Sequence, residues 1–231
     1  MTLWQGICIF AQVPPYILPT AMTTVYSLYE HGGVIAYHAL ISLGALLVGL
    51  FVAVGSGTIS AVWLYHAPGA ARLLKPFLLV MQSTPSFVLF PLLMVWFGYG
   101  FIPKILIIAL SCYFPICLCF WDALNCPPKE LVHLGQTLGA NPMRLFLYVR
   151  LPASMPGLLS GLQLAAIHAP ITTLASEWMG AQSGLGYLIM LAHGRLEMDF
   201  LFATLLVLIT VTALFAKVME KIQRKVLFWT W

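Results

Sequence analysis

Long stretches without a charged side chain are the feature of this sequence that most restricts its fold. Residues 39–65 contain no Asp, Glu, Lys or Arg, and further apolar runs follow at residues 77–97, 105–121, 157–176 and 200–216. A hydrocarbon core about 30 Å thick is crossed by roughly 17–25 apolar residues in a helix. Only helices and closed barrels satisfy their backbone groups in lipid, and these runs lack the alternation of barrel strands. The sequence therefore predicts five transmembrane helices.

The composition supports a chain that is embedded in a bilayer. Hydrophobic residues make up 61% of the sequence and charged residues 8%, whereas soluble domains carry about 25% charged residues. The basic residues are scattered singly between apolar runs, which argues against a nucleic-acid-binding face. The five cysteines are odd in number and lack metal-ligand spacing, so we expect reduced thiols and neither a metal nor a cofactor bound by this chain.

The N-terminal segment is harder to interpret from its sequence. Residues 3–18 are apolar but contain Pro14 and Pro15, and neither a basic leader nor a clear cleavage site marks a signal peptide. We predict that residues 1–36 form a short span or re-entrant segment followed by a periplasmic loop. Residues 37–231 are predicted to form a single transmembrane domain with five or six helices in all.

The basic residues predict how the chain is oriented. Nine of them fall on one side of the predicted spans: Arg72, Lys75, Lys129, Arg144, Arg150, Lys217, Lys221, Arg224 and Lys225. Only Lys104 and Arg195 fall on the other side. Because cytoplasmic loops carry an excess of Lys and Arg, we expect the loop 122–156 and the C-terminus to face the cytoplasm.

Two patterns inside the spans predict contacts. Small residues recur every four positions at Ala45, Gly49, Ala53 and Gly57, which indicates a close helix contact, more readily within one subunit than between two. The second run is interrupted by a polar stretch that includes Gln82, Ser83 and Pro85. This stretch fits either a kink whose carbonyls are satisfied by hydroxyls or a bend that lines a pathway.

The loop between the third and fourth runs is patterned like a short helical hairpin. Leu131, Leu134, Leu138 and Phe146 would form one apolar face, interrupted by Gly139 and Asn141–Pro142. We expect this hairpin to lie outside the membrane and to offer an apolar ridge to a partner; packing on its own subunit is the alternative.

This loop resembles the cytoplasmic motif E-A-A-x3-G-x9-I-x-L-P of binding-protein-dependent ABC importer permeases. With Gly139 as the motif glycine, Val149, Leu151 and Pro152 fall at the expected positions, while His133, Leu134 and Gly135 replace the opening triplet. The usual Glu is thus absent, which removes any ion pair it would make. The resemblance identifies residues 127–153 as the coupling loop. The residues to which it assigns the coupling role are His133, Leu134, Gly135, Gly139, Ala140, Val149, Leu151 and Pro152.

The resemblance implies an all-α permease of the type I importer architecture in the bacterial inner membrane. Its expected partners are an ATP-binding subunit, which would bind ATP and Mg, a periplasmic solute-binding protein and a second copy of this chain. The chain has no G-x-x-x-x-G-K-[ST] phosphate loop of its own, so we do not expect it to be an enzyme.

Three further segments resemble one branch of this family. VPPYILPT, PLLMVWFGYGFIPKILIIAL and SEWMGAQSGLGYLI are similar to permeases for sulfonate, nitrate and taurine. Within that branch, residues 168–208 are most similar to permeases for hydroxymethylpyrimidine, a thiamine precursor, and this is the solute we expect. A sulfonate, taurine or nitrate is the alternative.

His168, Glu177 and Trp178 are candidates for the pathway or its gate. Glu177 is an acid near the outer end of a span, where an ionisable group is costly unless paired or hydrated. A gate near the periplasmic mouth and an anchor for the glycine-rich turn after it both fit, the anchor slightly better. His168 is expected to be a hydrogen-bonded core histidine more readily than a ligand.

Two other classes of function fit less well. A membrane enzyme could use His38, His66 or His168, but no two histidines lie at ligand spacing on one span. A secondary transporter usually shows repeated broken helices, and QSTPSF has no second copy.

Overall fold

The computed structural model describes residues 16–226 together with Trp4, Gln5, Cys8 and Pro14. The predicted N-terminal span, residues 3–18, lies for the most part outside the described residues. Over residues 16–226 the chain is helical and contains no strand. The elements in chain order are α1 (Ala21–Glu30), α2 (Gly32–His66), α3 (Pro68–Ser83), a 3-10 turn (Ser86–Leu89), α4 (Phe90–Phe97), α5 (Phe101–Asn125), α6 (Lys129–Thr137), α7 (Pro142–Leu145), a π turn (Phe146–Arg150), α8 (Leu151–Trp178), α9 (Leu185–Gly194) and α10 (Met198–Val226).

Within the part of the chain that the structure describes, four continuous helical stretches are long and apolar enough to cross a bilayer: Gly32–His66, Phe101–Asn125, Pro142–Trp178 and Met198–Val226. Four of the five predicted runs lie inside these stretches. The run 77–97 differs, because α3 ends at Ser83 and the chain continues through extended Thr84 and the 3-10 turn before α4. Pro85 explains the break, since a proline disfavours helical geometry in the residue before it. The run 77–97 is therefore divided between two short helices.

The bundle has two ends, which we name from the residues they carry. The loop end carries residues 126–150 and also the exposed ion pair between Lys75 and Asp122, 3.1 Å long. The far end carries residues 179–184 between α8 and α9, together with the start of α5. Helix α2 begins at Gly32 at the far end. Residues 32–36, which were predicted to belong to the N-terminal segment, are therefore part of this helix. The short helices α1 and α9 also lie there, both packed on α10.

Helix α5 is the centre of the bundle, held between α2 and α8 by small residues. A Cβ on Gly49 or Gly57 of α2 would come within 2.7 or 3.0 Å of an isoleucine side chain of α5. From the other side, a Cβ on Gly161 of α8 would come within 2.7 Å of the Pro115 carbonyl oxygen. The predicted stripe at Ala45, Gly49, Ala53 and Gly57 is thus an intrasubunit packing face, as expected.

Candidate functional site: the loop hairpin, the α8 face and the far-end network

The hairpin at the loop end is shaped by two turns that its sequence encodes. Helix α6 ends at Thr137 and is capped by Leu138. Gly139 follows with φ +72°, and the Ala140 amide donates to the Gly135 carbonyl over 3.0 Å. This is the helix end that glycine favours, because other residues avoid positive φ. Asn141 then caps α7, since its Oδ1 accepts from the Arg144 amide over 2.8 Å. No atom lies within 4 Å of a Cβ built on Gly139, so conformation, not space, selects glycine.

The apolar face of the hairpin divides between docking and anchoring. Leu131, Leu134 and Leu138 are exposed, and we call them the leucine ridge. The prediction that Phe146 belongs to this face is wrong: it is buried and packs on Tyr65 and His66 of α2, with ring centroids 5.2 and 4.9 Å apart. The π turn that starts at Phe146 presents that ring to α2, which a sequence pattern of helical period does not reveal.

The other residues assigned to the coupling loop follow the same division. His133, Gly139 and Pro152 are exposed, whereas Ala140, Val149 and Leu151 are half-buried. Gly135 lies against α7, where a Cβ would come within 2.7 Å of Leu145 Cδ1. The hairpin is therefore seated on its own subunit along one side and leaves the leucine ridge free on the other.

The break between α3 and α4 places polar side chains on the surface of the subunit. Gln82, Ser83 and Pro85 are exposed. The Ser83 and Thr84 hydroxyls donate to the Val80 carbonyl over 2.8 and 3.1 Å, so hydroxyls satisfy the end of α3. The hydroxyl bonds support the interpretation as a kink, and the exposed polar side chains support the interpretation as a bend that lines a pathway, so both stay open.

Helix α8 presents an exposed face that mixes apolar and polar residues. The exposed side chains are Gln163, Leu164, Ile167, His168, Ile171 and Trp178. The expectation of a core histidine is wrong for His168, because it lies on the outer side of the helix, opposite the buried Ala165 and Ala169. Beside this face, α8 and α10 border a groove of about 480 Å³ whose lining includes Gln163, Ile171 and Lys217. Polar groups inside a span face protein or water, and not lipid.

A buried network joins four elements at the far end, and we call it the far-end network. Lys104 of α5 and Glu177 of α8 form an ion pair of 3.6 Å, with side chains 2% and 1% exposed. Ser42 of α2 donates to Glu177 Oε1 over 2.8 Å, and the Gly186 amide donates to Oε2 over 2.8 Å. Glu177 therefore caps the start of α9, as the anchor interpretation expects; a gate role for its own carboxylate would require it to reach the pathway.

The sequence analysis missed Ser42, Lys104 and His38 in this network. The Leu185 amide donates to Ser42 Oγ over 2.8 Å, and the Gly184 amide donates to His38 Nδ1 over 2.9 Å. Lys104 and Glu177 are isolated charges at the ends of apolar runs, so the need of each for a partner was visible in the sequence, although the identity of the partner was not. Because Lys104 is buried in this pair, Arg195 is the one remaining basic residue of the two counted at the far end. The excess of basic residues at the loop end is therefore larger than nine against two.

The histidines considered for an enzyme site do not converge. His38 lies at the far end, His66 packs at a tilt against Phe146 at the loop end, and His168 lies exposed on α8 between them.

Comparison with known proteins agrees with the fold and with the family resemblance. A protein named "Probable ABC transporter permease protein" of Haemophilus influenzae is 35% identical over 92% of this chain and 86% of its own. The formylaminopyrimidine transport permease protein ThiX of Halalkalibacterium halodurans is 26% identical over 93% of this chain and 86% of its own. The taurine transport system permease protein TauC of Escherichia coli is 25% identical over 99% of this chain and 86% of its own.

A solved structure shows the same fold. The MetNI methionine ABC transporter, in an inward-facing conformation, superposes with a TM-score of 0.72 at 21% identity, covering 85% of this chain and 98% of that one. The family model described as "Binding-protein-dependent transport system inner membrane component" matches residues 45–227, which include α5, the loop hairpin, α8 and all of α10. The chain therefore belongs to the binding-protein-dependent transport system inner membrane components, a family of multi-pass ABC transporter permeases.

Proposed function

We propose that this chain is the permease subunit of an ATP-driven importer, and that the loop hairpin binds a separate ATP-binding subunit in the cytoplasm. The observation that carries the proposal is the leucine ridge, which stays exposed on a hairpin seated on its own subunit by Gly135 and Phe146. An apolar ridge on a rigid support can transmit motion, because the support does not deform when the ridge is displaced.

The orientation follows from the same end of the molecule. The loop end carries the nine basic residues of the predicted cytoplasmic side, and α10 runs from the far end to the loop end, where Gln223 donates to the Leu159 carbonyl over 3.1 Å. By the positive-inside rule, this distribution of charge supports a cytoplasmic C-terminus. A fluorescent protein fused after Trp231 should fold and fluoresce there, and a periplasmic phosphatase fused at the same place should be inactive.

The solute pathway is proposed to form between two copies of this chain. One copy leaves Gln163 and His168 exposed at membrane depth on α8, and such polar groups require protein or water next to them. A symmetric pair that brings the two α8 faces together would give both copies the same environment. The exposed residues Gln82, Ser83 and Pro85 of the helix break are the second candidate lining.

For the solute we propose a pyrimidine of the hydroxymethylpyrimidine kind, delivered by a periplasmic solute-binding protein. The similarity to ThiX, named for formylaminopyrimidine, supports this class, and the similarity to TauC, named for taurine, supports the alternative of a sulfonate. Titration of the purified solute-binding protein with hydroxymethylpyrimidine and with taurine decides between them, because the one that binds is the solute.

The test of the coupling role is reconstitution in lipid nanodiscs with the ATP-binding subunit. We expect the wild-type chain to bind that subunit and to raise its ATP hydrolysis when the solute-binding protein is added. Leu134→Asp should abolish binding, because docking would bury a carboxylate, while Cys126→Asp, an exposed position of the same loop outside the ridge, should bind normally. A wild-type chain that transports solute without any ATPase would instead be a stand-alone carrier, and the proposal would fail.

A further inference from the structure

The far-end network lies at the opposite end of the bundle from the leucine ridge, and it is the most heavily bonded side-chain cluster among the described residues. Glu177 alone contacts Ser42 of α2, Lys104 of α5 and the Gly186 amide of α9. A single carboxylate thus fastens the end of α8 to three other elements.

The network is closed to solute. The side chains of Lys104 and Glu177 are almost fully buried, and their charges are satisfied by each other and by hydrogen bonds. Removal of one partner from such a pair leaves an uncompensated buried charge, which is strongly unfavourable. We therefore do not assign solute contact or gating motion to the Glu177 carboxylate itself.

The network fixes the chain reversal after α8. Lys104 donates to the Ser183 carbonyl, the Gly184 amide donates to His38, and the Leu185 amide donates to Ser42. Gly184 has φ +120°, and a Cβ there would collide with the Glu177 carboxylate, so the turn closes directly over the ion pair. Residues 179–184 are consequently held on both sides.

Trp178 is the exposed residue that this arrangement positions. It follows Glu177 directly and ends α8, and it lies seven residues after Ile171 on the same exposed helix face. Positions seven apart share a helix face, so Trp178 stands at the far end of the column that includes Leu164, His168 and Ile171. Its backbone cannot shift without moving the buried carboxylate beside it.

We propose that Lys104 and Glu177 are positioning residues which hold Trp178 across the far end of the pathway and so keep it closed when no solute-binding protein is bound. This inference rests on the proposed function, because the pathway is the space between the α8 faces of two copies. Ser42 and His38 act with the pair by holding the turn 179–184. In this arrangement Trp178 is the gate residue, and Glu177 acts only through it.

The test measures closure directly, with an Ile171→Cys reporter on the pathway face below Trp178. Spheroplasts carrying the permease with its ATP-binding subunit are treated with a membrane-impermeant maleimide, and labelling above that of the parent chain is measured. We expect the reporter to be protected when the network is intact. Lys104→Met should raise its labelling rate at least tenfold, because Glu177 is left unpaired and the turn is released.

Two further variants separate positioning from general damage. The double variant Lys104→Met/Glu177→Gln removes both charges but keeps an amide oxygen near the Gly186 amide, so protection should return at least halfway. Lys75→Met, which breaks the exposed ion pair with Asp122, is the matched control and should leave labelling unchanged. A merely structural role predicts equal loss of complex in both network variants and no recovery of protection.

If Lys104→Met fails to reach the membrane, His38 provides the milder variants. His38→Ala removes the acceptor for the Gly184 amide together with the ring that stacks on Tyr187, and it should raise labelling severalfold. His38→Asn restores an acceptor oxygen without the ring, and it should restore protection if the hydrogen bond to Gly184 holds the turn. Unchanged labelling in Lys104→Met, or in His38→Ala where that is used, overturns the inference, as does full labelling of the reporter with the network intact. Failure of the wild-type chain to bind the ATP-binding subunit would refute the proposed function instead.

Discussion

Replacement of Leu138 by alanine tests the leucine ridge with little disturbance of the fold. Leu138 is 77% exposed in the single chain, so its side chain contributes little to intrasubunit packing. Leu73 of α3 is 78% exposed and lies outside the loop hairpin. The two substitutions remove the same atoms from equally exposed positions, and only Leu138 belongs to the proposed docking surface.

The expected effect follows from the area that docking would cover. Full burial of a leucine side chain is worth about 1.5–3 kcal/mol relative to exposure. Since about three quarters of Leu138 is available and alanine keeps part of the contact, we expect a loss of about 1–2 kcal/mol of binding free energy. At about 1.4 kcal/mol per factor of ten, the Kd for the ATP-binding subunit should rise roughly 5- to 30-fold.

The assay is titration of the chain in nanodiscs with the purified ATP-binding subunit, read by biolayer interferometry. Leu73→Ala should leave the Kd within about twofold, and both variants should unfold within about 0.5 kcal/mol of wild type, as is usual at exposed positions. An unchanged Kd for Leu138→Ala would refute the ridge as the contact surface. Equal weakening by both substitutions would show that lipid packing, and not docking, causes the change.

Three further pairs of substitutions test the turns and the packing that support the site. Gly139→Asn should retain stimulated ATP hydrolysis. Gly139→Val should lose about 1–2 kcal/mol of stability, and with it stimulated hydrolysis, because a branched residue resists positive φ. Equal rates of hydrolysis in the two variants would contradict the conformational reason. Gly161→Ala should lower the thermal unfolding midpoint, because its Cβ meets the main chain of α5, and Gly55→Ala, with no atom within 4 Å, should not; the opposite order would refute this packing. Phe146→Ala should destabilise by about 3–5 kcal/mol through loss of a buried ring, and the exposed Tyr148→Ala by less than about 0.5 kcal/mol; similar unfolding of the two would contradict the anchoring role.

The sequence was sufficient for four of the five predicted spans and for the turn at Gly139. Hydrocarbon is a uniform solvent that responds to the length and polarity of a run, so residues 39–65 could be assigned without any partner. Gly139 could be assigned because a helix end with positive φ is a local property, which depends on the backbone of a few neighbouring residues. The loop motif likewise depends on spacing along the chain.

The direction in which a single side chain points could not be predicted from the sequence. Phe146 was expected on the ridge and His168 in the core, and the structure exchanges their environments. Periodicity places residues on a common helix face, but which face meets another helix depends on elements that are distant in the chain. The π turn at residues 146–150 adds a rotation that no regular period includes.

Sequence alone thus determined that this chain crosses a membrane several times and carries an importer-type loop, because both follow from local composition and spacing. Tertiary structure decided that Lys104 and Glu177, 73 positions apart, neutralise each other under a turn tied to α2. A buried charge requires a partner, but the sequence does not state which one. That choice is made by the packing of α2, α5 and α8, whose glycines bring the helix backbones close together.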